Sequence, residues 1–386
     1  MKYKLKELAD ISSSKRIYYS EYTNKGIPFY RGKEIIEKTE NKDISNKLFI
    51  SKERYDELKI KYGVPQKGDI IMTAVGTLGK CWLVDSTEFY FKDGNCLWFY
   101  NFNRKINNKY LYYYMCSNFF QNKIDNICIG STQKALTIQQ LKEVNINLPC
   151  IETQNKIVKI LDDICHKIRI NSQTNDNLYE LSSSLYKKWY DSLSSDNITT
   201  LSKFDEMGKI VMGQSPKGES YNYYNEGLPL INGAADYENG FLKAQKYTTM
   251  PTKTCNKNDL IFCIRATIGL LTICDKEYCL GRGVAGIVNI NELYRECVFH
   301  LINNSIESFK NLATGSVIVG ISRNDIQNIK VKIPSKEQIK NFHNIQKNLF
   351  DKMENIRQEN IVLTQLRDTL LPKLMNGEID LDKIEN

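Results

Sequence analysis

The sequence predicts an α+β protein: two related, mixed α/β globular halves about an approximate two-fold axis, separated by an antiparallel two-helix coiled coil. Three observations predict it. The 386-residue chain repeats itself at long range, each half is rich in short apolar runs broken by glycine loops, and each half is followed by a long heptad segment.

The repeat is the most informative. Gly68-Asp69-Ile70-Ile71, with Thr77, Gly79 and Asp85, returns as Asn258-Asp259-Leu260-Ile261 with Thr267, Gly269 and Asp275. Gly130-Ser131 returns as Gly315-Ser316, and Leu148-Pro149 as Ile333-Pro334. Ile157, Ile164, Ile168, Asn175, Leu178, Leu181, Leu185 and Lys188 return 185 positions on as Phe342, Leu349, Met353, Asn360, Leu363, Leu366, Leu370 and Lys373. A period this long marks a duplicated globular unit plus a helix, not a solenoid.

Within residues 1–150, the run from Asp69 to Ala74, a turn at Gly76-Thr77-Leu78-Gly79 and the run from Cys81 to Val84 read as strand, glycine loop, strand. Asp259 to Ile273 repeats that pattern within residues 200–334. Abundant aromatic residues fit a twisted mixed sheet with short helices near 110–121 and 294–303.

Between the halves, Ile157, Leu161, Ile164, Ile168, Asn171, Asn175, Leu178, Ser182, Leu185 and Trp189 fall at alternating steps of four and three. So do Phe342, Gln346, Leu349, Met353, Ile356, Asn360, Leu363, Arg367, Leu370 and Leu374. That is a sustained heptad seam, so the two segments are expected to form a coiled coil. Pro372 and Gly377 mark its end. A helix of this length reaches about 60 Å, and the short link at 192–199 cannot return over that distance, so the pairing is expected to be antiparallel. That pairing puts the globular halves at opposite ends. Near the helix midpoints the seam turns polar, and Asn175 and Asn360 are expected to meet and fix the register. Simple solvation of that stretch is the alternative.

Composition, 41% hydrophobic and 25% charged, indicates a soluble globular chain. The sequence holds no run long and apolar enough for a membrane span, and its start lacks the apolar stretch of a secretory signal. Eleven irregularly spaced cysteines read as small buried hydrophobes in a reducing cytoplasm. Charge is localised. Residues 1–150 hold 24 Lys/Arg against 16 Asp/Glu (net +8), and residues 200–334 hold 15 against 13 (net +2). Segments 151–199 and 335–386 hold 6 against 7 and 8 against 9 (net −1 each). A basic globular part on a neutral frame suits a polyanion reader, though a lysine-rich surface gives the same balance.

Catalytic signatures are few. Gly281-Arg282-Gly283-Val284-Ala285-Gly286 matches the dinucleotide glycine spacing, but it leads into a strand-like run instead of a helix and reads as backbone crowding. The sequence contains no P-loop, no methyltransferase-type Asn-Pro-Pro tetrapeptide and no Cys-x-x-Cys pair, and its three histidines suggest no metal site. What remains is recognition. Lys15, Arg16, Tyr30, Arg31, Lys33, Thr77 and Lys80, with Gln133 and Lys134, mix cations, aromatics and small polar groups in the first half. Gln214, Ser215, Lys217, Asn232, Arg265, Thr267, Arg282, Ser316 and Arg323 occupy comparable places in the second. Arg, Asn and Gln suit base edges, whereas Lys, Ser and Thr suit phosphates.

These residues resemble the specificity (S) subunits of type I restriction–modification systems. The resemblance covers essentially the whole chain. It rests on the opening from Leu5 to Ile11, on Ile27-Pro28-Phe29-Tyr30 and Leu228-Pro229-Leu230-Ile231, on the Gly68 to Gly79 stretch, on Leu148-Pro149 before Gln154, and above all on the closing stretch from Leu366 to Ile379. It implies target-recognition domain 1 at 1–150, spacer helix 1 at 151–199, target-recognition domain 2 at 200–334 and spacer helix 2 at 335–386. It implies a non-catalytic chain that binds double-stranded DNA, each half reading part of a bipartite site. It implies docking to two methyltransferase (M) subunits and two restriction (R) motor subunits in the cytoplasm. S-adenosylmethionine, ATP and Mg would then be bound by those partners and none by this chain. Tyr179, Tyr186 and Tyr190 would offer the partner surface, coiled-coil packing being their other reading. The second half departs from the pattern at Ile264-Arg265-Ala266, where the first has Ala74-Val75-Gly76. Arg265 is either a reader or a scaffold replacement. Arg31 and Arg265 are the expected readers of the two half-sites. A self-contained nuclease or methyltransferase with fused recognition domains, or a coiled-coil adaptor for proteins alone, are the rival classes.

Overall fold

Each half of the chain builds a related pair of sheets, four strands and four in the first half, four and five in the second, before feeding a long helix. The computed structural model describes residues 1–40, 44–128, 134–238, 241–313, 320–379 and 381. It divides into two compact units, one of residues 1–170 with 360–386, the other of residues 171–359.

In the first unit the elements are β1 (Lys2–Lys4), β2 (Asp10–Ser12), β3 (Tyr22–Thr23), β4 (Ile27–Tyr30), α1 (Gly32–Thr39), β5 (Leu48–Ile50), α2 (Lys52–Tyr62), β6 (Ile70–Thr73), β7 (Cys81–Leu83), β8 (Tyr90–Phe91) and β9 (Cys96–Tyr100). Then follow α3 (Asn108–Cys116), α4 (Asn118–Ile127), α5 (Ile138–Lys142), β10 (Asn145–Asn147) and the start of α6 (Ile151–Ser192). One antiparallel sheet has the order β2-β9-β6-β7; a second, β3-β5-β4-β8, has its β4–β8 pair parallel; β1 pairs with β10.

The second unit continues with β11 (Ile198–Thr200), β12 (Lys209–Met212), β13 (Tyr221–Asn222), β14 (Leu228–Ile231), β15 (Tyr237–Glu238), β16 (Phe241–Leu242), β17 (Lys246–Thr248), β18 (Thr254–Cys255), β19 (Leu260–Cys263), β20 (Leu271–Ile273), β21 (Tyr278–Leu280) and β22 (Val284–Val288). It closes with α7 (Arg295–Leu312), α8 (Arg323–Gln327), β23 (Lys330–Lys332) and α9 (Lys336–Met375), whose C-terminal part belongs to the first unit. Its sheets, β12-β22-β19-β20 and β13-β17-β14-β21-β18, repeat the first unit's connectivity with β18 added at one edge and a β15–β16 pair besides, and β11–β23 stands where β1–β10 stood.

The central strands explain themselves. Every residue of β6 and of β19 is buried. Ile70 and Met72 face one apolar cluster and Ile71 the other, and Leu260 and Phe262 alternate with Ile261 and Cys263 in the same way. A strand covered on both faces needs an unbroken apolar run. Each large side chain removed from water contributes roughly 1.5–3 kcal/mol. Aspartate precedes both strands as a brace. Asp69 accepts from Gln66 N–H and Trp98 Nε1–H, each at 2.8 Å, and Asp259 accepts from Asn256 N–H (2.7 Å) and Asn289 N–H (2.9 Å).

The helices pair antiparallel in each unit. In the first, Ile157, Val158 and Leu161 of α6 share a core with Leu374 and Met375 of α9. In the second, Asn171 donates to Glu359 (2.8 Å), Ser182 to Gln346 (2.5 Å), and Trp189 stacks on Phe342 with ring centres 4.0 Å apart. All twenty heptad positions named above are buried or half-buried. The expectation that Asn175 and Asn360 meet is corrected. Asn175 Nδ2 donates to the carbonyl of Met353 (3.2 Å), and Asn360 Nδ2 to that of Ile168 (3.4 Å). Register places each amide against the main chain of the opposite helix. Tyr186 is also corrected, being 2% exposed within the second unit's core, and Tyr190 accepts from Lys332 N–H at 3.0 Å. Of the three tyrosines, Tyr179 alone is exposed, at 36%.

The eleven cysteines are all free thiols, and Cys81, Cys96, Cys255, Cys263, Cys274, Cys279 and Cys297 are buried. Among the described residues no helix is long and apolar enough to cross a membrane.

Candidate nucleic-acid interface

One residue beyond each central strand, three segments converge. Past β6, Ala74 N–H donates to Asn95 O (2.8 Å), Ala74 O accepts from Leu136 N–H (2.9 Å), and Val75 bridges Ala135. Past β19, Ile264 N–H donates to Gly283 O (2.9 Å), Ile264 O accepts from Ile321 N–H (3.0 Å), and Arg265 bridges Gly320. The duplicated glycine turns close with equivalent bonds, Gly79 N–H to Thr73 O (2.9 Å) and Gly269 N–H to Cys263 O (3.0 Å). In the first unit Thr73 tightens the turn further, donating to Thr77 O (2.6 Å) and accepting from Lys80 N–H (3.0 Å). Rigid main chain thus holds Thr77, Lys80 and Lys134 exposed in one unit, and Arg265 and Thr267 exposed in the other.

In the first unit this corner opens into a cleft of ≈ 670 Å³ lined by Arg31, Lys33, Glu37, Thr73, Val75, Thr77 and Asn95, among others. Two expected readers there have other duties. Tyr30 is 5% exposed and stacks on Phe89 (5.2 Å), so it is core and presents no surface. Arg31 caps α1 and grips Glu34: its Nη2 and Nε donate to the two carboxylate oxygens at 2.7 and 3.1 Å, and its main-chain N–H adds a third bond at 2.8 Å. Glu34 is fully buried. Burial alone would push its pKa up, but the bonds from Arg31 outweigh this and hold the carboxyl below its usual range. Arg31 therefore secures a buried charge, while its partly exposed side chain still lines the cleft. Lys33 reaches Glu37 at 3.8 Å, and Arg16 pairs with Asp93 (2.9 Å) while staying largely exposed. Exposed Lys15 lies over the Tyr62 ring, 4.7 Å from its centre. Gln133 and Ser316 fall outside the described residues.

The second unit is built differently. Gly281 and Gly283 have no room for a Cβ: one would lie 1.9 Å from Asn232 Oδ1, the other 1.9 Å from the Asn232 carbonyl. The glycine spacing in this segment thus reflects Asn232 pressed against the turn, with Asn232 itself held by its N–H to Asp236 (2.7 Å). Between the two glycines Arg282 is exposed. Gln214 and Lys217 are exposed and Ser215 half-buried on the neighbouring loop. The Gln214 main chain bonds to Leu280 O and Thr252 Oγ1, and Lys217 lies 3.9 Å from Glu219. Arg323 donates to Ile210 O (2.7 Å), tying α8 to β12.

Sequence reasoning missed Asn95 and Val75, which line the first cleft beside Arg31, and took the buried Tyr30 for a surface group. The repeat contained a signal for Val75, since it aligns with Arg265. Among the described residues no cluster of His, Cys, Asp and Glu could hold a metal ion.

A family model described as the type I restriction modification DNA specificity domain matches residues 1–180 and again 200–366. A putative type I restriction enzyme MjaX specificity subunit of Methanocaldococcus jannaschii is 26% identical over 333 residues, 81% of this chain and 78% of that one. A putative specificity subunit of Haemophilus influenzae, S.HindORF215P, is 35% identical over 163 residues, 41% of this chain and 39% of that one. The crystal structure of the type I restriction–modification S subunit from M. genitalium shares the fold, with a TM-score of 0.57 at 17% identity, covering 97% of this chain and 95% of that one. Two matches that together span most of the chain place it in the type I restriction–modification specificity family, whose members are non-catalytic components that recognise DNA sequence.

Proposed function

We propose that this chain reads a bipartite DNA site, one part with each globular half, and that its helices α6 and α9 dock methyltransferase and restriction subunits. The observation that carries this reading is the duplicated three-segment corner. Its main-chain bonds are the same at Ala74 and Ile264, while the next side chain differs, valine in one unit and arginine in the other. Equal frames with unlike side chains suit two readers of unlike sequence. Chemistry on the DNA would belong to the partners, two methyltransferase and two motor-nuclease subunits, which would bind S-adenosylmethionine, ATP and Mg²⁺ in the cytoplasm. Phosphate contacts would be shared with the methyltransferases, so affinity of the isolated chain would be modest and salt-sensitive.

The test is a domain exchange. This chain is expressed with its partner methyltransferase in a host free of adenine methylation, and modified sites are mapped by sequencing. Replacing residues 200–334 with another domain of the family is expected to change one part of the motif and leave the other intact. Change in both parts, or in neither while methylation persists, would overturn the assignment of one half-site to each half.

A further inference from the structure

The second unit carries two exposed arginines at one corner. Arg265 and Arg282 are both exposed, and neither side chain has a partner among the described residues. They are neighbours by register. β19 pairs with β22 through Cys263 opposite Val284, and Ile264 N–H then meets Gly283 O at 2.9 Å. The next step places Arg265 opposite Arg282, where the chain turns on a 3.3 Å bond from Val284 N–H to Gly281 O. Both are fixed at the main chain: Arg265 by its bridge to Gly320, Arg282 by the glycines that fit its turn against Asn232. Among the described residues the first unit has no such pair. Val75 stands at the position of Arg265, while Arg31 and Arg16 are committed to Glu34 and Asp93.

An arginine held on rigid backbone, with no carboxylate partner among the described residues, is a fork of donors open to an outside acceptor. In the DNA major groove the acceptor pair that matches it is O6 and N7 of guanine. Building on the DNA-reading function proposed above, we propose that Arg265 and Arg282 form a guanine-reading pair, so that the half-site read by residues 200–334 contains at least one G·C pair specified through guanine N7. Asn232, pressed against the same turn, keeps Arg282 in place. The first unit reads its half-site without such a pair.

The test uses the complex of this chain with its methyltransferase partner and duplexes carrying the mapped motif. Each guanine of the half-site assigned by domain exchange is replaced singly by 7-deazaguanine, which lacks the N7 acceptor. The parent complex is expected to lose about ten-fold or more in affinity at one or two positions. In R265A or R282A that sensitivity should disappear, and the mapped motif should become degenerate there. If no guanine of the half-site responds in the parent complex, the proposal is overturned, whatever the variants do. It is also overturned if both variants bind every duplex more weakly with the motif unchanged, the signature of phosphate contacts. A parent motif without two parts would instead refute the function proposed above, so the two failures are distinguishable.

Discussion

At the scale of single residues, Arg31 is anchored to Glu34, whereas Arg265, the proposed reader, is exposed without a side-chain partner among the described residues. Removing Arg31 leaves Glu34 buried and uncompensated, whereas removing Glu34's charge leaves a partly exposed guanidinium that water can serve. R31A is therefore expected to cost about 3 kcal/mol and E34Q clearly less. Thermal melting of the purified chain would rank them, and neither should alter the mapped motif. A motif change in R31A with unchanged melting would show that Arg31 reads DNA after all. The pH dependence follows from the depressed carboxyl of Glu34. Its stabilisation is present above the ordinary carboxylate range and is lost as pH falls through its folded value, so wild type and E34Q should converge in acid. Both arginines lie just past a strand, Arg31 capping α1 and Arg265 entering a turn, but the acid that claims Arg31 lies three residues on, and Arg265 has none at that spacing. That spacing, Arg31 to Glu34 across the first turn of α1, was the available signal. Tyr30 was misjudged for a related reason. Its neighbours Arg31 and Lys33 are polar, and only the packing of Phe89 and Trp82 reveals it as core.

At the scale of elements, the helix seam was legible because burial in a two-helix pair follows a period that the sequence displays directly. Its chemistry was less so. Ser182 and Gln346 sit in the seam as polar residues, and the structure pairs them with a histidine from α7. Ser182 Oγ donates to Gln346 Oε1 (2.5 Å), so the His300 contact at 2.7 Å must run from Nε2–H to Ser182 Oγ. Nδ1 is then bare, buried and without a partner. A proton there would be an unsolvated charge, and burial accordingly lowers the His300 pKa to about 4. Its folded value lies below its ordinary one, so the unfolded chain binds the proton more readily. The stability of this junction is complete above about pH 6.5 and declines as pH falls toward 4, by up to about 3 kcal/mol. Melting temperature followed across that interval should fall more steeply in wild type than in His300→Phe. Parallel curves would refute the role of His300. No periodicity could have announced this network, since its third member comes from an element 118 residues away. The asparagine expectation failed at the same level: the period placed Asn175 and Asn360 correctly on the seam, but the register across the helices chose main-chain carbonyls as their partners.

At the scale of the whole molecule, α6 and α9 are the elements that contribute residues to both compact units, which meet in sequence at 170/171 and 359/360. If the bipartite reading holds, these helices set the length of DNA left unread between the half-sites, and that length can be changed by a calculable amount. Seven residues added to an α-helix advance it by about 10 Å and nearly two full turns, so the buried stripe stays in phase. One inserted heptad in each helix, at 170/171 and 359/360, preserves the seam positions on both sides. DNA rises about 3.4 Å per base pair, so the unread spacer should lengthen by about three base pairs, with both specified parts of the motif unchanged. An insertion in one helix alone leaves about seven residues without opposite partners, so the seam cannot stay matched on both sides of the insertion, and should abolish modification. Sequencing methylated adenines in cells carrying each variant reads these outcomes directly. A doubly inserted chain that still directs methylation at the original spacing would show that something other than these helices sets the distance, and the ruler would have to be sought in the partner subunits.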